Sequence, residues 1–443
     1  MRKRGIQIAL AVVLVAAALS PVFAACGGGG APTGNETIKI RYAAVLPITP
    51  GYFGAPASES SSYYWEEAVE TVTEGRIDIE LYPSETLCKQ EMAFDAVDSG
   101  IADIAWAVAT YCRDWMPLET VFFLGLDMDS CEQTFRVHHR IYEEYLEPYY
   151  DDLDMMVITT LGREKLILFT TDRPIRTVEG FEGLSLMSGG IEMEKLISKL
   201  GALSVPVPYQ DAYEAMQKGT MNAAMLDITA PMIFRWYDAG DPGYIIDCGG
   251  VGMADAVYIA HQGLLEKLRP EDAYALMKLT DYWLGMYASQ NSDRSNLLYW
   301  EEVPKVGMET IVWSEDEKEK LRELKREVMD WWVGWMDQQH GLGDEAEEVL
   351  HAVLEEMENY HPGNITPSNP ATFPEEWMRE TLRDEGWIIN EEAWQEVVGP
   401  EGHWGMDFVY DADYEPWYEE WWAEQNMEHP WYQDWKKQHQ EGD

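Results

Sequence analysis

Hydrophobic positions in the first third of the chain alternate in short runs, separated by stretches of helical period. Ile38, Ile40 and Tyr42 share one side of "TIKIRY", as a half-buried strand requires. Ile77, Ile79 and Leu81 repeat the alternation in "GRIDIELYP", and "IADIAWAVA" is the continuous apolar run of a buried strand. Between these runs Tyr64, Ala68 and Val72 recur four residues apart, and "KQEMAFDAVDSG" reads as a helix that stops at Gly100. The order strand, helix, strand, helix, strand predicts a doubly wound α/β unit.

The pattern then recurs. "MMVITTLG" and "KLILFTT" read as strands, followed by "LSLM", the helix "IEMEKLISKLG", the run "ALSVPVP", the helix "YQDAYEAMQKG" and the strand "MNAAML". The segment "YIIDCGGVGMADAVYIAH" is expected to cross back to the first unit. Beyond Arg269 the chain reads as largely helical. Ser314 and Glu317 form a capping box at the start of the longest helix.

Charge and the N-terminus narrow the function. The formal net charge is −48, from 80 acidic and 32 basic residues. That excludes a nucleic-acid partner, because a phosphate backbone needs a basic face. "MRKRG" followed by a short apolar run reads as an export signal, too short to span a membrane stably. "FAAC" at Cys26, followed by "GGGG", is the pattern of a lipidated cysteine with a tether. The expectation is an extracytoplasmic protein that meets the membrane only through a lipid anchor at Cys26. Cys88, Cys112, Cys131 and Cys248 leave two alternatives open, disulfides or buried thiols.

The catalytic vocabulary is missing. There is no G-x-S-x-G, H-E-x-x-H, P-loop or complete G-x-G-x-x-G. His138 and His139 are adjacent in a predicted helix and so point to different faces, a poor metal clamp. Neither an enzyme activity, a cofactor nor a metal is expected. The predicted fold class is α/β, a two-lobed periplasmic-binding-protein-like fold with a hinge and long C-terminal helices. The expected organisation is a signal peptide at 1–26 and a tether at 27–36. Lobe I takes 37–164 with 252–292, and lobe II takes 165–251 with 293–360. An acidic, Trp-rich extension at 361–443 is read as an ordered wrap on the lobes.

Four runs, in order, resemble the solute-binding proteins of TRAP (tripartite ATP-independent periplasmic) transporters. They are "EGRIDIELYPSETLCKQEMAFDAVDSGIADIAW", "RPIRTVEGFEGLSLMSGG", "LGALSVPVPYQDAYEAMQKGTMNAA" and "VPKVGMETIVWSEDE". The resemblance implies a receptor that closes two lobes on a small organic solute and delivers it to a membrane permease. It also implies a cleft. The loop after the first strand contributes Tyr52, the third strand and its end Trp106, Thr110 and Tyr111, and the strand ends of the second unit Ile167, Met187, Leu226 and Asp227. Gly190, Tyr209 and Asp255 complete the set. In the family an arginine usually stands at the position of Met187 and binds a carboxylate, and many members carry another at the position of Ile167. With both apolar here, and Arg163 and Arg235 expected to face solvent, a neutral or amine-bearing solute is favoured. The alternative function is an exported cell-surface enzyme or polysaccharide-binding lipoprotein.

Overall fold

The computed structural model describes residues 37–45, 61–128, 130–163, 166–207, 211–239, 243–250, 256–289, 292, 296, 299–300 and 302–360. Cys26, Tyr52, Tyr209, Asp255 and the extension at 361–443 lie outside the described residues. Eleven strands among them form two sheets. The first sheet is built from β1 (Ile38–Ala43), β2 (Ile77–Tyr82), β3 (Ile104–Ala107), β4 (Met155–Leu161) and a strand from much later in the chain, Ala256–His261. The second contains β5 (Ile167–Thr170), β6 (Ser185–Met187), β7 (Leu203–Val205), β8 (Ala223–Leu226), β9 (Tyr244–Asp247) and β11 (Glu309–Val312), the returning strand being β10. The molecule is therefore an α/β fold of two lobes that the chain crosses between more than once.

The first sheet runs in the order β2-β1-β3-β10-β4. β1 is parallel to both β2 and β3, a pairing that needs crossover connections rather than hairpins. β10 enters antiparallel to β3 and β4, because it arrives from the other lobe. The alternation in "TIKIRY" has its physical meaning here. Ile40 and Tyr42 are buried on the face covered by the helix Ser61–Val72. Tyr42 meets Trp65 edge-on at 5.4 Å, and the Trp65 indole donates to Thr280 Oγ1 at 2.9 Å. The second sheet runs β11-β9-β5-β8-β6-β7, with β6 parallel to β7 and β8 and β5 antiparallel to β8 and β9.

Two long helices tie the lobes together. Ser314 caps Glu315–His340 by accepting from the Glu317 N–H at 3.4 Å. Gly341, at φ 71°, ends it in the left-handed conformation that glycine adopts without strain. This helix packs on the second-lobe helix Ile191–Lys199. Its fully buried Trp332 also donates to Thr120 Oγ1, in the turn that follows β3, at 2.9 Å. The next helix, Gly343–Asn359, lies against Cys131–Ile141 of the first lobe. Buried Lys325 pairs with Asp127 and donates to the Gly250 carbonyl at 3.1 Å, next to the crossing.

The histidine pair is structural in its setting. His138 is buried against Glu119, whose other oxygen accepts from Tyr150 Oη at 3.2 Å. None of Cys88, Cys112, Cys131 and Cys248 forms a disulfide. Burial pushes the Cys112 and Cys248 thiols up to about 12, so neither is a ready nucleophile. Among the described residues no helix is long and apolar enough to cross a membrane, and no cluster of side chains is arranged to hold a metal.

Candidate functional site

In open α/β sheets the crevice beyond the carboxyl ends of parallel strands is where ligands are held. Here the ends of β3 and β6 meet across the lobes. A Cβ on Gly190 would lie 2.9 Å from Thr110 Cβ and 3.0 Å from its Cγ2, and one on Gly189 would lie 3.8 Å from the Tyr111 hydroxyl. No larger residue fits at 190 without moving Thr110. Thr110, Tyr111 and Gly190, proposed from separate parts of the sequence, thus come together at one seam.

The first-lobe side of that seam is a run of tight turns, closed by bonds from the Tyr111 N–H to the Val108 carbonyl and from the Cys112 N–H to the Ala109 carbonyl, both 3.0 Å. Thr110 is buried, and its Oγ1 has no hydrogen-bond partner among the described residues. The same holds for the indole N–H of Trp106, which packs in the core of the first sheet beside Tyr258. Tyr111 is exposed.

The second-lobe side differs. Ile167 and Met187 are each 6% exposed and belong to one apolar cluster with Phe169, Met216 and Trp236. The β5–β8 register sets Ile167 opposite Leu226, which is half-buried on the edge of that cluster. Asp227 follows directly and is buried. Its Oδ1 accepts from the Ala230 N–H at 3.0 Å.

Three charged side chains alter the expected site. Arg163, predicted to face solvent, does not: its side chain is 13% exposed, and Nη2 lies 3.7 Å from Asp227 Oδ2. It stands two residues past the end of β4. Arg235 faces solvent as expected, paired with Asp238 at 2.6 Å. Arg113 and Glu192 were not singled out in the sequence. Arg113 donates from Nη2 to the Thr110 carbonyl at 3.0 Å, and the same nitrogen sits 3.7 Å from Glu192 Oε2. Glu192 stands in the first turn of Ile191–Lys199, with its side chain fully buried. Burial pushes its carboxyl above the usual range, and the Arg113 guanidinium opposes that shift. The one signal available in the sequence was an acidic residue placed two positions after a glycine pair.

Comparison with known proteins places these features in context. Residues 57–333 match the profile of bacterial extracellular solute-binding protein family 7. A solute-binding protein of Albidiferax ferrireducens is 25% identical over 167 residues, covering 38% of this chain and 49% of that protein. The chain thus spans about half the length of that curated relative. The C4-dicarboxylate-binding periplasmic protein of Rhodobacter capsulatus is 24% identical over 268 residues, covering 59% of this chain and 77% of that protein. Among solved structures, a marine-metagenome TRAP solute-binding protein specific for aromatic acids, in complex with 3-hydroxybenzoate, is similar with a TM-score of 0.65. Its identity is 17%, over 73% of this chain and 99% of that one. A Bordetella pertussis solute receptor binding pyroglutamic acid is similar with a TM-score of 0.63 and 18% identity, over 73% of this chain and 100% of that one.

Proposed function

The chain belongs to bacterial extracellular solute-binding protein family 7, and on that premise we propose that it is the extracytoplasmic receptor of a TRAP transporter, taking a small organic acid between its lobes and delivering it to a membrane permease. The observation that carries the acid reading is the presence of two partly buried guanidinium groups near the junction of the lobes, Arg113 and Arg163, at 25% and 13% side-chain exposure. The preference for a neutral or amine-bearing solute rested on apolar residues at 167 and 187 and on an outward Arg163. With Arg163 turned inward, that preference gives way. Relatives of known ligand support the change, since one binds 3-hydroxybenzoate and another pyroglutamic acid. The apolar cluster behind Ile167 and Met187 favours an acid with a substantial hydrophobic body. The protein binds and does no chemistry on the solute.

A melting-temperature screen tests the reading, with calorimetry on the hits. Benzoate, 3-hydroxybenzoate, pyroglutamate and succinate are set beside benzamide and aliphatic amines. A ligand at a hundred times its Kd stabilises by about 2.7 kcal/mol, which is readily seen. We expect one or more acids to raise the melting temperature. Stabilisation by amines or neutral compounds alone would reverse the assignment.

A further inference from the structure

We propose that Arg113 is the carboxylate anchor of this cleft, reaching in from the first lobe and oriented by Glu192 of the second. This rests on the acid reading above and adds which residue makes the contact. Position 187, on β6, supplies no charge, because it is a methionine packed in the apolar cluster. Three residues further on, the chain reaches Gly190, and there the first lobe closes against it. The Cβ position of Gly190 lies 2.9 Å from Thr110 Cβ and 3.1 Å from Glu192 Oε2. Arg113 holds the Thr110 carbonyl and stands 3.7 Å from that same Glu192 oxygen. Thr110, Arg113, Gly190 and Glu192 therefore form one cluster drawn from both lobes.

The cluster is short of hydrogen bonds. Arg113 Nε and Thr110 Oγ1 are buried without a hydrogen-bond partner among the described residues. Folded proteins rarely leave two buried donors bare side by side, and each carries a desolvation cost that an acceptor would remove. A solute carboxylate meets the deficit on the donor side. Its two oxygens match the planar fork of Arg113, and the Thr110 hydroxyl supplies a third donor. Thr110 is 7% exposed and Glu192 is 1% exposed, so the bonds would form with water largely excluded.

Glu192 acts through Arg113. At 3.7 Å it attracts the guanidinium without forming a hydrogen bond, so it sets the direction of the fork and leaves Nε uncommitted. The other guanidinium is differently placed. Asp227, the partner of Arg163, is itself tied to the Ala230 N–H at 3.0 Å.

Calorimetry with benzoate, pyroglutamate and succinate, each beside its amide, tests the anchor on wild type and on Arg113→Met, Arg113→Lys and Glu192→Gln. We expect Arg113→Met to weaken the bound acid by at least about tenfold and to leave the amide unchanged. Arg113→Lys should recover part of the loss, having the charge without the fork, and it serves if the Met variant does not fold. Glu192→Gln should narrow the preference for acid over amide, which loss of packing alone would not do. Unchanged acid binding in Arg113→Met would overturn the proposal. So would equal weakening of acid and amide, since the pair would then only clasp the lobes. Wild type that binds none of the acids would remove the acid reading itself, and the anchor with it.

Discussion

The two walls of the cleft are built on different principles. The second-lobe wall is made of strand ends. Ile167 and Met187 point into the same apolar cluster as Phe169 and Trp236, and their places are set by the two-residue period of the sheet. The first-lobe wall is made of the turns after β3. There no ladder constrains the backbone, and Thr110 and Arg113, facing Glu192, hold bare polar atoms. If the proposed anchor is right, the difference teaches that in this chain the regular elements build the core of the wall and the irregular ones read the solute. A substitution on one wall should act on stability, and on the other on recognition.

Met187→Arg is the strongest way to break that comparison. If the side chain at 187 belongs to the core, a guanidinium there is an unpaired charge in an apolar cluster. The cost is expected at about 3 kcal/mol or more, with no gain in acid affinity. Urea denaturation gives the first quantity and calorimetry the second. Retained stability with tighter acid binding would mean that position 187 faces the solute and that the walls are not so different.

Gly190→Ala tests the seam itself at a smaller cost. The backbone at 190 is extended, with φ 164°, so alanine brings no conformational strain. The penalty is contact: the new methyl would sit 2.9 Å from Thr110 Cβ. Overpacking of this kind typically costs about 1–3 kcal/mol. Since the clash is between lobes, it should fall on the closed, ligand-bound state more than on the fold. The expected outcome is weaker acid binding with a small change in melting temperature. A large loss of stability with unchanged affinity would show the contact to be part of the resting core.

The sheets were legible in the sequence because burial leaves a periodic trace. Ile40, Tyr42, Ile77 and Ile79 alternate and are buried, and the return through Ala256–His261 was readable from a second apolar run after a glycine-rich crossing. The ends of strands were legible as places but not as roles. The resemblance marks Ile167 and Met187 as ligand contacts and the structure packs each in an apolar cluster; periodicity alone does not separate those two uses. The charged residues were the least legible. Arg113 and Glu192 are far apart in the chain, and Arg163 meets an aspartate that lies just past another strand. Non-local pairing of this kind leaves no pattern in the local sequence, and an isolated arginine in a charged chain is ordinarily solvated.

The smallest effect is also the one that separates the two roles open to Glu192. Burial raises its carboxyl above the ordinary value of 4.5, Arg113 opposes the rise, and nearby Glu194 adds to it. A carboxyl raised in the folded state binds its proton more tightly there than in the unfolded chain. Its contribution to stability is therefore fully present below 4.5 and is lost as pH climbs through the raised folded value. Glutamine keeps the shape and cannot ionise. The melting temperature of Glu192→Gln, minus that of wild type, should be near zero at pH 4 and become positive toward pH 7. Taking the difference cancels the titration of the many other carboxylates, which both proteins share. A difference that falls with rising pH would mean that attraction to Arg113 outweighs burial. Glu192 would then be a firm ion-pair partner, Arg113 would already be satisfied, and the first-lobe wall would resemble the Arg163–Asp227 side more than it differs from it.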